Sequence, residues 1–109
     1  MTHKKIVIVG GGPAGLAAAA SAAEYGETDI LLLEREKETG GILNQCIHNG
    51  FGLHTFGEEL TGPEYAARFS ARVRALDIET RTETTVLSVT RNKIVTAVNP
   101  ADGLFSVKA

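Results

Sequence analysis

A chain of 109 residues with 43% hydrophobic side chains is long enough for one small domain with a buried core, and too short for more. Its net charge of −2, with no clustered basic patch, argues against nucleic acid and acidic membrane surfaces as partners, and no apolar run approaches the ~20 residues of a membrane span. Cys46 is the only cysteine, so no internal disulfide can form, and a strand-like pattern directly after residues 1–5 leaves no room for a signal peptide; a cytoplasmic setting is expected.

Residues 5–9, Lys-Ile-Val-Ile-Val, read as a nearly continuous apolar strand of the kind buried on both faces of a parallel sheet. The spacing then predicts a helix over 14–25, dominated by alanine and ended by Gly26 as a C-cap. Residues 29–33 are a second apolar strand, and Glu34 stands at its carboxyl end.

Between strand and helix, Gly10, Gly12 and Gly15 are spaced G-x-G-x-x-G, with Glu34 about 19 residues beyond, close to the ~20 expected for an acid that binds a ribose. Gly10 permits a sharp turn off the strand. Gly12, lacking a Cβ, lets a pyrophosphate approach the backbone, and Gly15 lets the helix pack closely on the sheet. Pro13 suits the first helical turn, where Ala14 and its neighbours leave N–H groups facing an anion. Strand, glycine turn, helix and acid together predict a dinucleotide-binding βαβ unit. A negative Glu34 also disfavours a 2′-phosphate, and hence NADP, at this site.

Residues 35–38 read as a solvated loop of mixed charge, from which Arg35 could reach the adenosine end of a ligand. Gly40 and Gly41 open a stretch over 42–61 with no clean period, in which histidines and phenylalanines interleave with polar residues. Stretches this long in a small domain are usually functional or disordered, and the apolar content argues for order. Thr61 and Glu64 are spaced as a capping box, and Tyr65, Phe69, Val73 and Leu76 follow at helical spacing. Arg68, Arg72 and Arg74 are expected in solvent. Strands follow at 78–81, 84–90, 93–98 and 104–107, the last three as a meander. The fold class expected is α/β: a Rossmann-like βαβ parallel sheet of strand order 3-2-1 with an appended three-stranded β-meander.

These residues resemble the N-terminal FAD-binding region of the two-dinucleotide-binding-domain flavoproteins, which include the pyridine nucleotide-disulfide oxidoreductases. Beyond the glycine turn and Glu34, Ala19 and Gly26 stand at the spacing of the flavin class, and the meander lies where that family inserts one. Residues 40–66 are similar to a branch related to the flavoprotein subunit of anaerobic glycerol-3-phosphate dehydrogenase. The resemblance implies FAD as cofactor, with NAD(P) only in a full-length protein. It also implies that residues 1–109 are a partial FAD-binding domain, without the second half of that domain or an NAD(P) domain, and inactive alone. The complete enzyme would move electrons between a small organic substrate or NAD(P)H and an acceptor, as a homodimer or with a partner oxidoreductase subunit. The other classes weighed are a stand-alone dinucleotide-binding module and an NAD-dependent dehydrogenase fragment.

By the same resemblance, Gly40, Gly41, Asn44 and Gln45 lie close to the pyrophosphate or the flavin ring. Cys46 reads equally as a small packing residue and as a thiol beside the flavin; a partner cysteine is absent, with Ile42 where it would stand. Cys46 and His48 are the catalytic candidates, His54 is a weaker one, and Phe51 and Phe56 read as core. No metal set is expected.

Overall fold

The computed structural model describes residues 1–41, Asn44 and residues 61–109. Gln45, Cys46, His48, Phe51, His54 and Phe56 therefore lie outside the described residues. The elements run β1 (Thr2–His3), β2 (Ile6–Val9), α1 (Pro13–Glu24), β3 (Ile30–Leu33), α2 (Gly62–Ala75), β4 (Glu79–Arg81), β5 (Thr85–Val89), β6 (Ile94–Asn99) and β7 (Gly103–Lys108).

β3 is the centre. All four of its residues are buried, and it pairs in parallel with β2 on one side and β4 on the other, so the sheet runs β2-β3-β4. Because side chains alternate across a strand, β3 feeds two cores. Leu32 joins Leu16, Ala19 and Ala20 of α1 and Phe69 and Val73 of α2. Leu31 and Leu33 join Val95, Ala97 and Val107 of the meander. Helices, parallel sheet and meander thus form three layers. The alanines of α1 permit its close approach: Ala19 and Ala20 are buried along with Leu16.

Three expectations are corrected. Residues 6–9 are only partly buried: Val7 packs on the meander core and Ile8 on the helix core, but Val9 is 53% exposed at the strand end that lines an open cleft. The meander sheet has a fourth strand, β1, paired in parallel with β7 through Thr2–Val107 and His3–Lys108. Arg72 is not free in solvent, since its guanidinium pairs with the Glu24 carboxylate at the end of α1, with Nε donating at 2.7 Å. It also lies over the Phe69 ring at 5.9 Å.

Candidate functional site

At the carboxyl ends of β2 and β3 the chain turns through Gly10, whose φ of +102° falls where only glycine is comfortable. Gly10 N–H donates to the Leu33 carbonyl at 2.7 Å, which extends the strand pairing to the turn. A Cβ on Gly15 would stand 1.8 Å from the Gly10 carbonyl oxygen, so helix α1 is in contact with the turn itself and only then with Ile8 of the sheet. Gly12 is the N-cap of α1, and a Cβ there would meet nothing within 4 Å. With glycine at the cap and no acid in the first turn, α1 has no side chain to satisfy its leading N–H groups.

Glu34 is buried, 6% exposed, and its carboxylate is fixed from two sides. Gly11 N–H donates to Oε1 at 2.8 Å, and Glu36 N–H donates to Oε2 at 2.7 Å. Its backbone is fixed as well, receiving Thr84 N–H and donating to the Arg81 carbonyl, both at 2.9 Å. A carboxylate offers about four lone-pair positions. Two are used, so Glu34 keeps acceptor capacity.

Gly40 and Gly41 come back against this turn. Gly40 N–H donates to the Gly11 carbonyl at 2.7 Å. A Cβ on Gly40 would lie 2.8 Å from the Ala66 Cβ of α2, and one on Gly41 would lie 3.1 Å from the Gly12 Cα, so the pair fills the gap between α2 and the glycine turn. Asn44 is exposed, and its Nδ2 donates to the Thr39 carbonyl at 3.2 Å.

An open cleft of ≈950 Å³ begins here. Gly10, Glu34, Gly41 and Asn44 line it together with Thr84, Thr85 and Val86. Arg35 also lines it and is paired loosely with Glu36 at 3.6 Å on the exposed loop. Gly12, Pro13, Ala14 and Gly15 form the helix start beside it. The expected site residues within the described part therefore gather at one sheet end.

Sequence reasoning missed three contributors. Gly11 had a readable signal as the middle of a glycine run. Thr39 and the start of β5 had none, because they arrive through the crossover connections. Thr84 is held by Asn99, whose Nδ2 donates to its Oγ1 at 3.0 Å, and Asp102 completes the cluster. Among the described residues no group of three His, Cys, Asp or Glu gathers to hold a metal ion, and no helix is long and apolar enough to cross a membrane.

The arrangement fits a dinucleotide. An uncapped helix start and an open Gly12 suit phosphate oxygens, and a buried carboxylate with spare acceptors suits ribose hydroxyls. Residues 5–102 match the family described as FAD dependent oxidoreductase. Sarcosine oxidase subunit alpha of Corynebacterium sp. strain P-1 is 38% identical over 74 residues, 68% of this chain and 7% of that protein. L-proline dehydrogenase from P. horikoshii covers 99% of this chain with a TM-score of 0.78 at 22% identity, over 21% of its own chain. Thioredoxin reductase from Lactococcus lactis covers 97%, with a TM-score of 0.73 at 26% identity, over 33% of its own chain. The present chain thus spans a third or less of the length of these proteins.

Proposed function

From the premise that this chain belongs to the FAD dependent oxidoreductase family and that its cofactor is FAD, we propose that residues 1–109 hold the ADP half of that cofactor. The observation that carries this is the open N-terminus of α1 beside the buried Glu34 carboxylate, which Gly11 N–H holds at 2.8 Å. Gly10, Gly12, Pro13, Ala14 and Gly15 form the pyrophosphate turn. Glu34 accepts from the ribose hydroxyls, Arg35 covers the adenosine end, and Gly40, Gly41 and Asn44 come close to the pyrophosphate or the flavin ring; Gln45, outside the described residues, is assigned to the same group by the resemblance alone. When bound, FAD supplies redox chemistry that no amino-acid side chain offers. The chain's own residues bind and orient it and offer its phosphates the N–H groups of the α1 start.

The finer reading is that of a partial domain. The second half of the FAD domain and an NAD(P) domain would belong to a longer, cytoplasmic protein, in line with the small share of each relative that this chain covers. That protein would pass electrons between a small organic substrate or NAD(P)H and an acceptor. It would do so as a homodimer or with a partner subunit, on the branch related to anaerobic glycerol-3-phosphate dehydrogenase, with Cys46 and His48 as the catalytic candidates. The piece alone would not turn over.

The test is a fluorescence-quenching titration of the purified chain with FAD, using NAD as competitor. Saturable binding that NAD does not displace supports the assignment. NAD binding without FAD binding overturns it in favour of a nicotinamide module.

A further inference from the structure

We propose that Thr39 is a positioning residue. With Ser70 it forms a hydroxyl latch that ties the glycine turn to helix α2 and holds that turn ready for the cofactor. The proposal rests on the reading of residues 10–15 as the FAD phosphate turn.

A run of three glycines, Gly10 to Gly12, has more backbone freedom than any other tripeptide. A turn built from it must be held from outside, or binding has to bear the cost of ordering it. The structure holds Gly11 on three sides. Glu34 Oε1 takes its N–H, Gly40 N–H reaches its carbonyl, and the Thr39 methyl covers its Cα: a Cβ on Gly11 would stand 2.9 Å from Thr39 Cγ2.

Glu34 is secured by Arg81 of β4 and by Thr84, just before β5. Thr39 and Gly40 are not, since residues 35–40 belong to no helix or strand. Besides the Asn44 Nδ2 bond to the Thr39 carbonyl at 3.2 Å, what places them is α2. Thr39 Oγ1 and Ser70 Oγ share a hydrogen bond of 2.5 Å, and Gly40 packs on Ala66 one turn earlier. Ser70 follows Phe69, which is buried in the helix core, so the latch is mounted on a fixed part of the fold. Thr39 therefore joins two functions in one side chain. Its hydroxyl grips α2 and its methyl presses on the turn.

Two substitutions separate these. Thr39→Val keeps the methyl and the shape but loses the hydroxyl; Thr39→Ser keeps the hydroxyl. Amide hydrogen exchange, read by NMR on the ligand-free chain, reports the latch directly. In Thr39→Val the Gly40 amide is expected to exchange about ten-fold faster, from the loss of one partly buried hydrogen bond, while the Ala97 amide of the meander is unchanged. FAD affinity is expected to fall by about the same factor, with Thr39→Ser keeping most of it. Ser70→Ala should reproduce Thr39→Val, and the double variant should be no worse than either single one, because both remove the same bond.

Unchanged Gly40 exchange in Thr39→Val overturns the proposal. So does equal acceleration at Ala97, which would make Thr39 a matter of global stability. Failure of the wild-type chain to bind FAD would overturn the phosphate-turn reading instead, and the exchange measurement would still decide the latch.

Discussion

The two helices of this chain start in opposite ways, although both carry proline in the first turn. In α2 the cap is Thr61, whose hydroxyl accepts from Glu64 N–H at 3.3 Å while Glu64 Oε1 accepts from Thr61 N–H at 2.9 Å. In α1 the same positions are Gly12 and Gly15, and neither offers a side-chain oxygen. A Ser or Thr cap is worth about 1 kcal/mol over a residue that cannot cap. α2 has that side-chain cap. At α1 the cap is Gly12, which costs only roughly a few tenths of a kcal/mol against a capping side chain. It leaves the N–H groups without a side-chain partner where the helix start adjoins the cleft. A cap and a bound phosphate compete for the same N–H groups. The lesson is that the sealed helix serves the fold and the open one serves the ligand.

The largest effect is expected from breaking the third position of α1. Gly15→Ala drives a methyl to 1.8 Å from the Gly10 carbonyl oxygen, and backbone must move. A loss of roughly 3 kcal/mol is expected, read as a lower urea midpoint at unchanged slope. Glu64→Ala at the corresponding position of α2 should cost far less, since nothing there is overpacked. Equal losses at the two positions would end the contrast.

Next in size is a substitution that closes the open helix. Gly12 has φ −76° and free space where its Cβ would point, so Gly12→Asp is tolerated by the backbone and supplies the missing cap. The folded state should be as stable or slightly more so. FAD affinity should fall about a hundred-fold, because a carboxylate then occupies the phosphate-facing N–H groups. Retained affinity would show that the phosphates lie elsewhere. The reciprocal change, Thr61→Ala, should lower stability by about 1 kcal/mol and leave FAD affinity within two-fold of wild type.

How much of this could be read beforehand depends on the range of each signal. The glycine turn, Glu34 and the Thr61–Glu64 box are local patterns, legible within a few residues. The α/β class and the meander follow from hydrophobic period, which is also local. How deeply each strand is buried was not legible: Ile6–Val9 and Ile30–Leu33 are equally apolar, and the full burial of the second goes with its pairing on both sides. β1 is two polar residues held by a partner about a hundred residues away in the chain. Arg72 finds Glu24 across 48 residues, and Thr39 finds Ser70 across 31, so neither contact has a trace in its own neighbourhood.

The smallest effect sharpens the comparison through pH. The bond from Thr61 backbone N–H holds the Glu64 carboxyl below its ordinary 4.5. A carboxyl depressed by folding contributes stability that is present above the unfolded value and is lost as pH falls through the folded one. The Thr61 amide should therefore lose protection as pH drops below 4.5, once exchange is corrected for its intrinsic pH dependence. Leu16 N–H, which donates to the Gly12 carbonyl at the start of α1 at 2.9 Å, has no titrating cap and should stay protected through the same range. A second carboxyl, Glu79, is lowered chiefly by its hydrogen bond from Lys4, and its contribution falls in the same acid window. Lys4 itself is raised above 10.5, chiefly by that bond, so its share is lost only as pH climbs through the raised value. Glu79 is 40% exposed, and solvent screening limits the pair to a few tenths of a kcal/mol. Glu79→Gln should flatten the acid arm of the global stability curve slightly without touching Thr61 exchange. Glu64→Gln should abolish the acid dependence at Thr61 and leave Leu16 as it was; if Leu16 moved with Thr61, the two helix starts would be one cooperative unit and the contrast between them would be gone.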